Sequence, residues 1–190
     1  MIPVKSVEGA RVSLRPVGEE AAGSDYLGWL HDPEVTRYLE ARFTDYTAER
    51  LCAYIRAENE RPNAIFFGIY LNSDGRLIGT IKLSQVRAEH RHCELGLMIG
   101  DKTAWGRGYG AEAIELACRY AFECLGLHKV AAGCYGNNLG SARAFEKAGF
   151  SLEGRLAEDR WSAEGWVDKL WLGLINPGEN ERRQKREDHS

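Results

Sequence analysis

A mixed α+β domain is what this sequence predicts, rather than an alternating doubly wound one. Three observations predict it. Residues 64–99 hold three apolar, β-branched runs separated by polar turns, the pattern of an antiparallel meander. The strongest helical periodicity in the chain follows directly. After it come a strand, a helix and two strands. The full order is β, α, α, α, β, β, β, α, β, α, β, β, which gives a central, mostly antiparallel mixed sheet of about seven strands with flanking helices.

Each element has a local reason. Residues 11–17 (RVSLRPV) alternate polar and apolar and run into a proline, as a first strand does. Residues 19–39 carry Tyr26, Leu27, Trp29, Leu30, Val35, Tyr38 and Leu39 at helical spacing. Asp32-Pro33 splits them into two short helices, with Asp32 as N-cap and the proline at the first helical position. Residues 47–59 read as a third helix, capped by Thr47, with Leu51, Tyr54 and Ile55 on one face. Residues 64–71 and 77–86, joined by the turn Asn72-Ser73-Asp74-Gly75, form a hairpin. Residues 93–99 add the next strand. Across residues 109–125, Ile114, Ala117, Ala121 and Leu125 recur at three and four, and Gly126 closes the helix. Residues 128–135 are a strand and residues 139–148 a helix closed by Gly149-Phe150. Residues 151–156 and 166–175 are the last strands, joined by a polar connection. Residues 179–190 hold no aliphatic or aromatic side chain. The reading is therefore a domain over 1–176 and a charged tail over 177–190 without fixed structure.

Composition narrows the function classes. The chain has 190 residues, one domain at ~150 residues per domain. Lys and Arg number 25 against 28 Asp and Glu, a net charge of −3. A groove that tracks a polyanion needs a basic excess, so nucleic acid is not an expected partner. No apolar run of signal-peptide length opens the chain, and no stretch approaches the ~18–20 residues of a membrane span. Cys52, Cys93, Cys118, Cys124 and Cys134 include no CxxC pair. They read as reduced, mostly buried thiols of a cytoplasmic protein with no membrane partner. His90-Arg91-His92-Cys93 has no second cluster to complete a metal site, so no metal is expected.

The chemistry concentrates in two segments. Residues 103–113 (TAWGRGYGAEA) lie between a strand and the strongest helix. The first amides of a helix have no intrahelical partner, and the helix dipole puts partial positive charge there. Gly106, Gly108 and Gly110 remove side chains, so that backbone can approach a bulky anion, and Arg107 adds a charge. A phosphate or pyrophosphate fits. A plain tight turn between strand and helix fits too. No Gly-Lys-Ser/Thr follows, so this is not a P-loop. The glycines run G-x-G-x-G without the βαβ unit of a dinucleotide site. The second segment is residues 138–150 (NLGSARAFEKAGF).

Together these segments resemble the GNAT N-acetyltransferase superfamily, and more narrowly its RimJ/RimL-like branch. The likeness also takes in residues 11–17, residues 29–35 (WLHDPEV) and residues 93–99 (CELGLMI), so it spans about residues 11–175. The resemblance implies a splay between the family's fourth and fifth strands, with the pantetheine arm of acetyl-CoA against Leu97, Met98 and Ile99. It implies a pyrophosphate on the amides of Gly106, Arg107, Gly108, Tyr109, Gly110 and Ala111. The family pattern usually has Gln or Arg where this chain has Trp105, which removes one side-chain donor. Asn138 matches the residue that bonds the pantetheine, and also suits a helix N-cap. Ser141 matches the serine that protonates the leaving thiolate. Phe145 packs near the cofactor or in the core. Glu94, at the start of the fourth strand, is the candidate base, and a solvated glutamate is the competing reading. The backbone N–H of Leu97 would meet the oxyanion of a direct transfer through a tetrahedral intermediate.

The acceptor implied is a primary amine, either a protein N-terminus or a small-molecule amine. Trp29, His31, Tyr38, Arg42, Phe43 and Trp161 are candidates to line its pocket, although aromatic residues at helical spacing are more often core. Residues 154–165 could serve as a specificity loop or as the contact of a homodimer. Two alternatives stand beside this reading: a nucleotide-aminosugar N-acetyltransferase, and a catalytically silent acyl-CoA-binding module.

Overall fold

Period-two apolar patterning brings the strands into one sheet, and a computed structural model describes it over residues 4–179. The strands are β1 (Val7–Glu8), β2 (Val12–Pro16), β3 (Ile65–Leu71), β4 (Leu77–Arg87), β5 (His92–Ile99), β6 (Lys129–Tyr135), β7 (Ser151–Ser162) and β8 (Gly165–Ile175). Their spatial order is β1-β2-β3-β4-β5-β6-β8-β7. Neighbours pair antiparallel except β5 and β6, which run parallel. The eighth strand beyond the expected seven is the two-residue β1, which pairs Val7 with Leu14.

The helices are α1 (Ser24–His31), α2 (Pro33–Thr36), α3 (Ala48–Glu60), α4 (Tyr109–Arg119) and α5 (Leu139–Lys147). They cover both faces of the sheet. Adjacent residues of one strand serve opposite faces. Leu95 packs with Ile114, Ala117 and Phe145 under α4 and α5. Met98 and Phe66 pack with Tyr26, Leu30, Leu51 and Ile55 under α1 and α3. Burying each such large apolar side chain contributes about 1.5–3 kcal/mol.

The caps follow the sequence. Asp32 accepts from the Glu34 N–H at 2.9 Å, with Pro33 at the first helical position. Thr47 accepts from the Arg50 N–H at 3.3 Å. Gly126 takes a φ of +64°, and the Leu127 N–H closes back on the Ala121 carbonyl at 3.0 Å.

Two expectations are corrected. The helix expected over 109–125 is α-helical only to Arg119 and then makes a π turn over Tyr120–Cys124. The polar connection expected after residue 156 is mostly strand, because β7 continues to Ser162 and turns tightly into Gly165. Its ladder to β8 breaks between Leu156 and Arg160, where Glu158 takes a φ of +48°. Just past residue 176, Glu179 pairs with Arg91 and lies 3.7 Å from His128. The remainder of the expected tail, residues 180–190, lies outside the described residues. The five cysteines are free; Cys93, Cys118 and Cys134 are buried, Cys52 is half-buried, and Cys124 is exposed. No helix among the described residues is long and apolar enough to cross a membrane.

Candidate active site

The site begins where two strands part. β5 and β6 pair at only three rungs, His92 with Lys129, Cys93 with Val130 and Glu94 with Ala131. Beyond Glu94, β5 pairs only with β4, and from Ala132 onward β6 pairs only with β8. The result is a wedge whose apex is the Glu94 rung and whose one wall is the free edge of β5.

At the mouth of the wedge the chain leaves β5 and enters α4 through the glycine loop. Gly106 and Gly108 take φ of +71° and +80°, a region that a Cβ atom disfavours. Gly108 is the N-cap of α4 and no side chain caps the helix, so its first amides remain available to a ligand. Gly110 is different: a Cβ there would make ordinary contacts, 3.6 Å from Leu97 and 3.7 Å from Ile99. The indole N–H of Trp105 donates to the Ile99 carbonyl at 2.8 Å and ties the loop to the end of β5. The residue that departs from the family pattern therefore has a structural task.

A cavity of about 720 Å³ runs along this loop and into the wedge. Of the expected cofactor residues, Leu97, Met98, Ile99, Gly106, Gly108, Tyr109, Gly110, Ala111, Asn138 and Ser141 line it. Arg107 does not, and its exposed side chain lies outside the lining. Phe145 lines a second cavity instead and stacks edge-on against Phe150, with ring centroids 5.0 Å apart. Arg143 and Lys147, on α5, add two cations to the first cavity's wall.

The second cavity, of about 360 Å³, lies on the α1–α3 side of the wedge. It shares Tyr38, Leu39, Leu97, Met98, Asn138 and Ser141 with the first, so the two meet at those residues. Asn138 caps α5 by accepting from the Ser141 N–H at 3.1 Å, which leaves its side-chain NH₂ free to donate. Ser141 and Cys134 line the smaller cavity side by side, and burial pushes the Cys134 thiol's titration up.

Most of the second cavity's lining was missed by sequence reasoning. Tyr26, Tyr46, Tyr54 and Tyr135 join Tyr38 around it, with Glu40 and Lys82 as its charged groups. Burial pushes the Tyr26 and Tyr54 phenols well above their usual range, so both are neutral donors. Lys82 sits 3.1 Å from the buried Glu58 carboxylate and 3.2 Å from the Tyr54 hydroxyl. The Tyr135 hydroxyl donates to Glu40 at 3.0 Å. These tyrosines come from four separate stretches of chain, so no local motif announces them.

Of the expected acceptor residues, only Tyr38 lines a cavity; its hydroxyl donates to the Asn137 carbonyl at 3.2 Å. Trp29 belongs to the α1–α3 core and packs flat over Gly100, where a Cβ would strike its ring. The His31 ring nitrogen lies 2.8 Å from the Tyr46 carbonyl, behind the lining. Trp161 is half exposed on β7 and stacks edge-on against Trp166, at 5.3 Å. Phe43 is exposed, and Arg42 reaches the Tyr135 hydroxyl at 3.3 Å from outside. Glu94 is half-buried at the wedge apex and lines neither cavity.

With this geometry described, the chain can be set beside known proteins. The family model for an acetyltransferase (GNAT) domain matches residues 11–151. The chain is 39% identical over 142 residues to the Probable N-acetyltransferase YjcK of Bacillus subtilis, covering 74% of this chain and 72% of that protein. Mycobacterium smegmatis RimJ in complex with CoA-disulfide superposes with a TM-score of 0.79 at 21% identity, over 90% of this chain and 87% of that one. Spermidine N-acetyltransferase from Vibrio cholerae, in complex with CoA and spermine, gives 0.76 at 20% identity, over 87% and 95%. At those identities the two structures speak for the fold.

Proposed function

Since the chain belongs to the GNAT acetyltransferase family and is an acetyltransferase, we propose that it transfers an acetyl group from acetyl-CoA to a primary amine. The observation that carries this reading is the meeting of two cavities at Ser141 and Leu97, one along an uncapped glycine loop and one lined by tyrosines. A bound acetyl-CoA would supply an activated thioester carbonyl. The loop and Asn138 fit such a donor: amides without partners suit a pyrophosphate, and the free edge of β5 suits an amide-bearing arm.

The chain's own residues then have defined tasks. Tyrosine faces and the Glu40 carboxylate receive an ammonium group in the smaller cavity. The N–H of Leu97 on the free edge of β5 stabilises a developing oxyanion. The Ser141 hydroxyl gives a proton to the departing sulfur and recovers one from water. A carboxylate must first take the ammonium proton. Glu40 can do so from within the acceptor cavity, whereas Glu94 acts from the apex only through water.

Within the family we place the chain in the RimJ/RimL-like branch, in the cytoplasm, with a peptide α-amine or a small amine as acceptor. A volume of about 360 Å³ suits a small molecule or the first residues of a peptide. The test is CoA release against a panel of peptides, polyamines, aminosugars and amino acids, with Gly108→Trp as control. That variant should keep the fold and lose acetyl-CoA binding. Tight acetyl-CoA binding without turnover on any amine would refute the reading. Glu40→Gln and Glu94→Gln, compared across pH, identify the base, because only its loss flattens the acid limb of the rate profile.

A further inference from the structure

We propose that Arg11, held by Glu112, is a positioning residue of the donor site. It fixes the direction of two backbone N–H groups in the glycine loop. This inference rests on the donor-site reading above.

The contacts are dense and come from a segment remote in sequence. Glu112, on the first turn of α4, accepts from the Arg11 N–H at 2.7 Å and from the Val12 N–H at 3.3 Å. It also accepts from the Arg11 side-chain Nε at 2.7 Å. Its side chain is only 12% exposed. Burial alone would raise its titration, but the hydrogen bonds from Arg11 and Val12 outweigh that and hold it below the usual carboxylate range. So anchored, the guanidinium turns its other nitrogens to the loop. Nη1 donates to the Arg107 carbonyl at 2.9 Å and Nη2 to the Gly108 carbonyl at 3.4 Å. The same guanidinium lies 5.2 Å from the centre of the Tyr109 ring.

Peptide planarity converts those contacts into a statement about amides. In a trans peptide the C=O and the following N–H point in opposite directions. Fixing the Arg107 carbonyl toward Arg11 turns the Gly108 N–H away from it. The Gly108 carbonyl also accepts from the Glu112 N–H at 3.2 Å, so Arg11 and the first turn of α4 together turn the Tyr109 N–H away. Gly108 and Tyr109 both line the donor cavity. Left-handed Gly106 and Gly108 leave the Arg107–Gly108 peptide between them free to rotate, so a clamp from outside the helix is needed to set it before a ligand arrives. Arg11 supplies it from β2's approach, outside the cavity lining.

The experiment compares binding of acetyl-CoA with that of acetyl-pantetheine, which carries the same thioester arm without the nucleotide diphosphate. Wild type, Arg11→Ala, Arg11→Lys and Glu112→Gln are titrated by calorimetry, with thermal melting to confirm the fold. Arg11→Ala and Glu112→Gln should weaken acetyl-CoA about tenfold, the worth of one charge-assisted hydrogen bond. Acetyl-pantetheine binding should not change. Arg11→Lys should resemble the alanine variant, because an ammonium cannot bridge two carbonyls and a carboxylate in fixed geometry. Three results overturn the inference: equal losses for both donors, retained acetyl-CoA affinity in Glu112→Gln, or full rescue by lysine, which would make Arg11 a simple charge. Wild type that binds both donors equally well would overturn the donor-site reading itself, and this inference with it.

Discussion

Lys82→Met isolates a buried charge in the wall of the smaller cavity. The Glu58 side chain is 5% exposed and that of Lys82 26%. The Lys82 ammonium lies 3.1 Å from a Glu58 oxygen, and Arg61 approaches the other oxygen at 3.3 Å from the surface. Removing one partner of a buried pair costs about 3–5 kcal/mol, because the other charge stays buried without compensation. Arg61 offsets part of that, which puts the expected cost of Lys82→Met at about 3 kcal/mol. Glu58→Gln leaves Lys82 with the Tyr54 hydroxyl and partial access to water, and should cost about 1 kcal/mol. The double variant removes both charges and should cost about 2 kcal/mol, so the coupling is about 2 kcal/mol. Urea denaturation at neutral pH measures all four proteins, and unchanged slopes confirm that the denatured states compare. Strict additivity, or a Lys82→Met cost under about 1 kcal/mol, would show that the pair is solvated and that the reasoning fails.

Other measurements follow from the same contacts. The Glu112 carboxylate titrates below its ordinary value of 4.5, so its stabilisation is present above that pH and lost as pH falls through the lowered value. The stability gap between wild type and Glu112→Gln should therefore be full at pH 7 and close in acid, as read by melts across pH. Thiol labelling of the native protein at pH 8 should modify the exposed Cys124 first. Cys93, fully buried and with its titration pushed up to about 12 by that burial, should react only on unfolding. Phe145→Ala empties a site 2% exposed and removes the edge-on contact with Phe150, an expected loss of about 3–5 kcal/mol by denaturant titration.

What was legible in the sequence is what the chain settles locally. Asp32-Pro33 and Thr47 cap their helices as read, since a cap is decided within four residues. Gly106 and Gly108 stand in the left-handed region that a strand-to-helix turn of this kind uses. What was not legible depends on neighbours. β1 is two residues long and exists only because Leu14 is there to pair with. β7 extends through charged residues because it is an edge strand exposed on both faces, so no alternation marks it. Trp29 and Trp161 carry the residue type expected of a binding wall, yet packing sends one into the core and the other onto the surface. The five tyrosines of the smaller cavity converge only through the fold.

The two cavities draw on different lengths of chain. The larger cavity draws on residues 97–111 and 138–147 and also on Glu34, Val35, Arg37, Tyr38 and Leu39, whereas Glu40, Ala41, Tyr46 and Tyr54 line only the smaller one. The part of the segment between β2 and β3 that follows Leu39 can therefore change its chemistry while the glycine loop and its cavity stay as they are. Such a chain is separable: exchange of residues 40–61 should redirect the choice of amine and leave acetyl-CoA affinity intact. Substrate range can then diverge quickly on an unaltered engine.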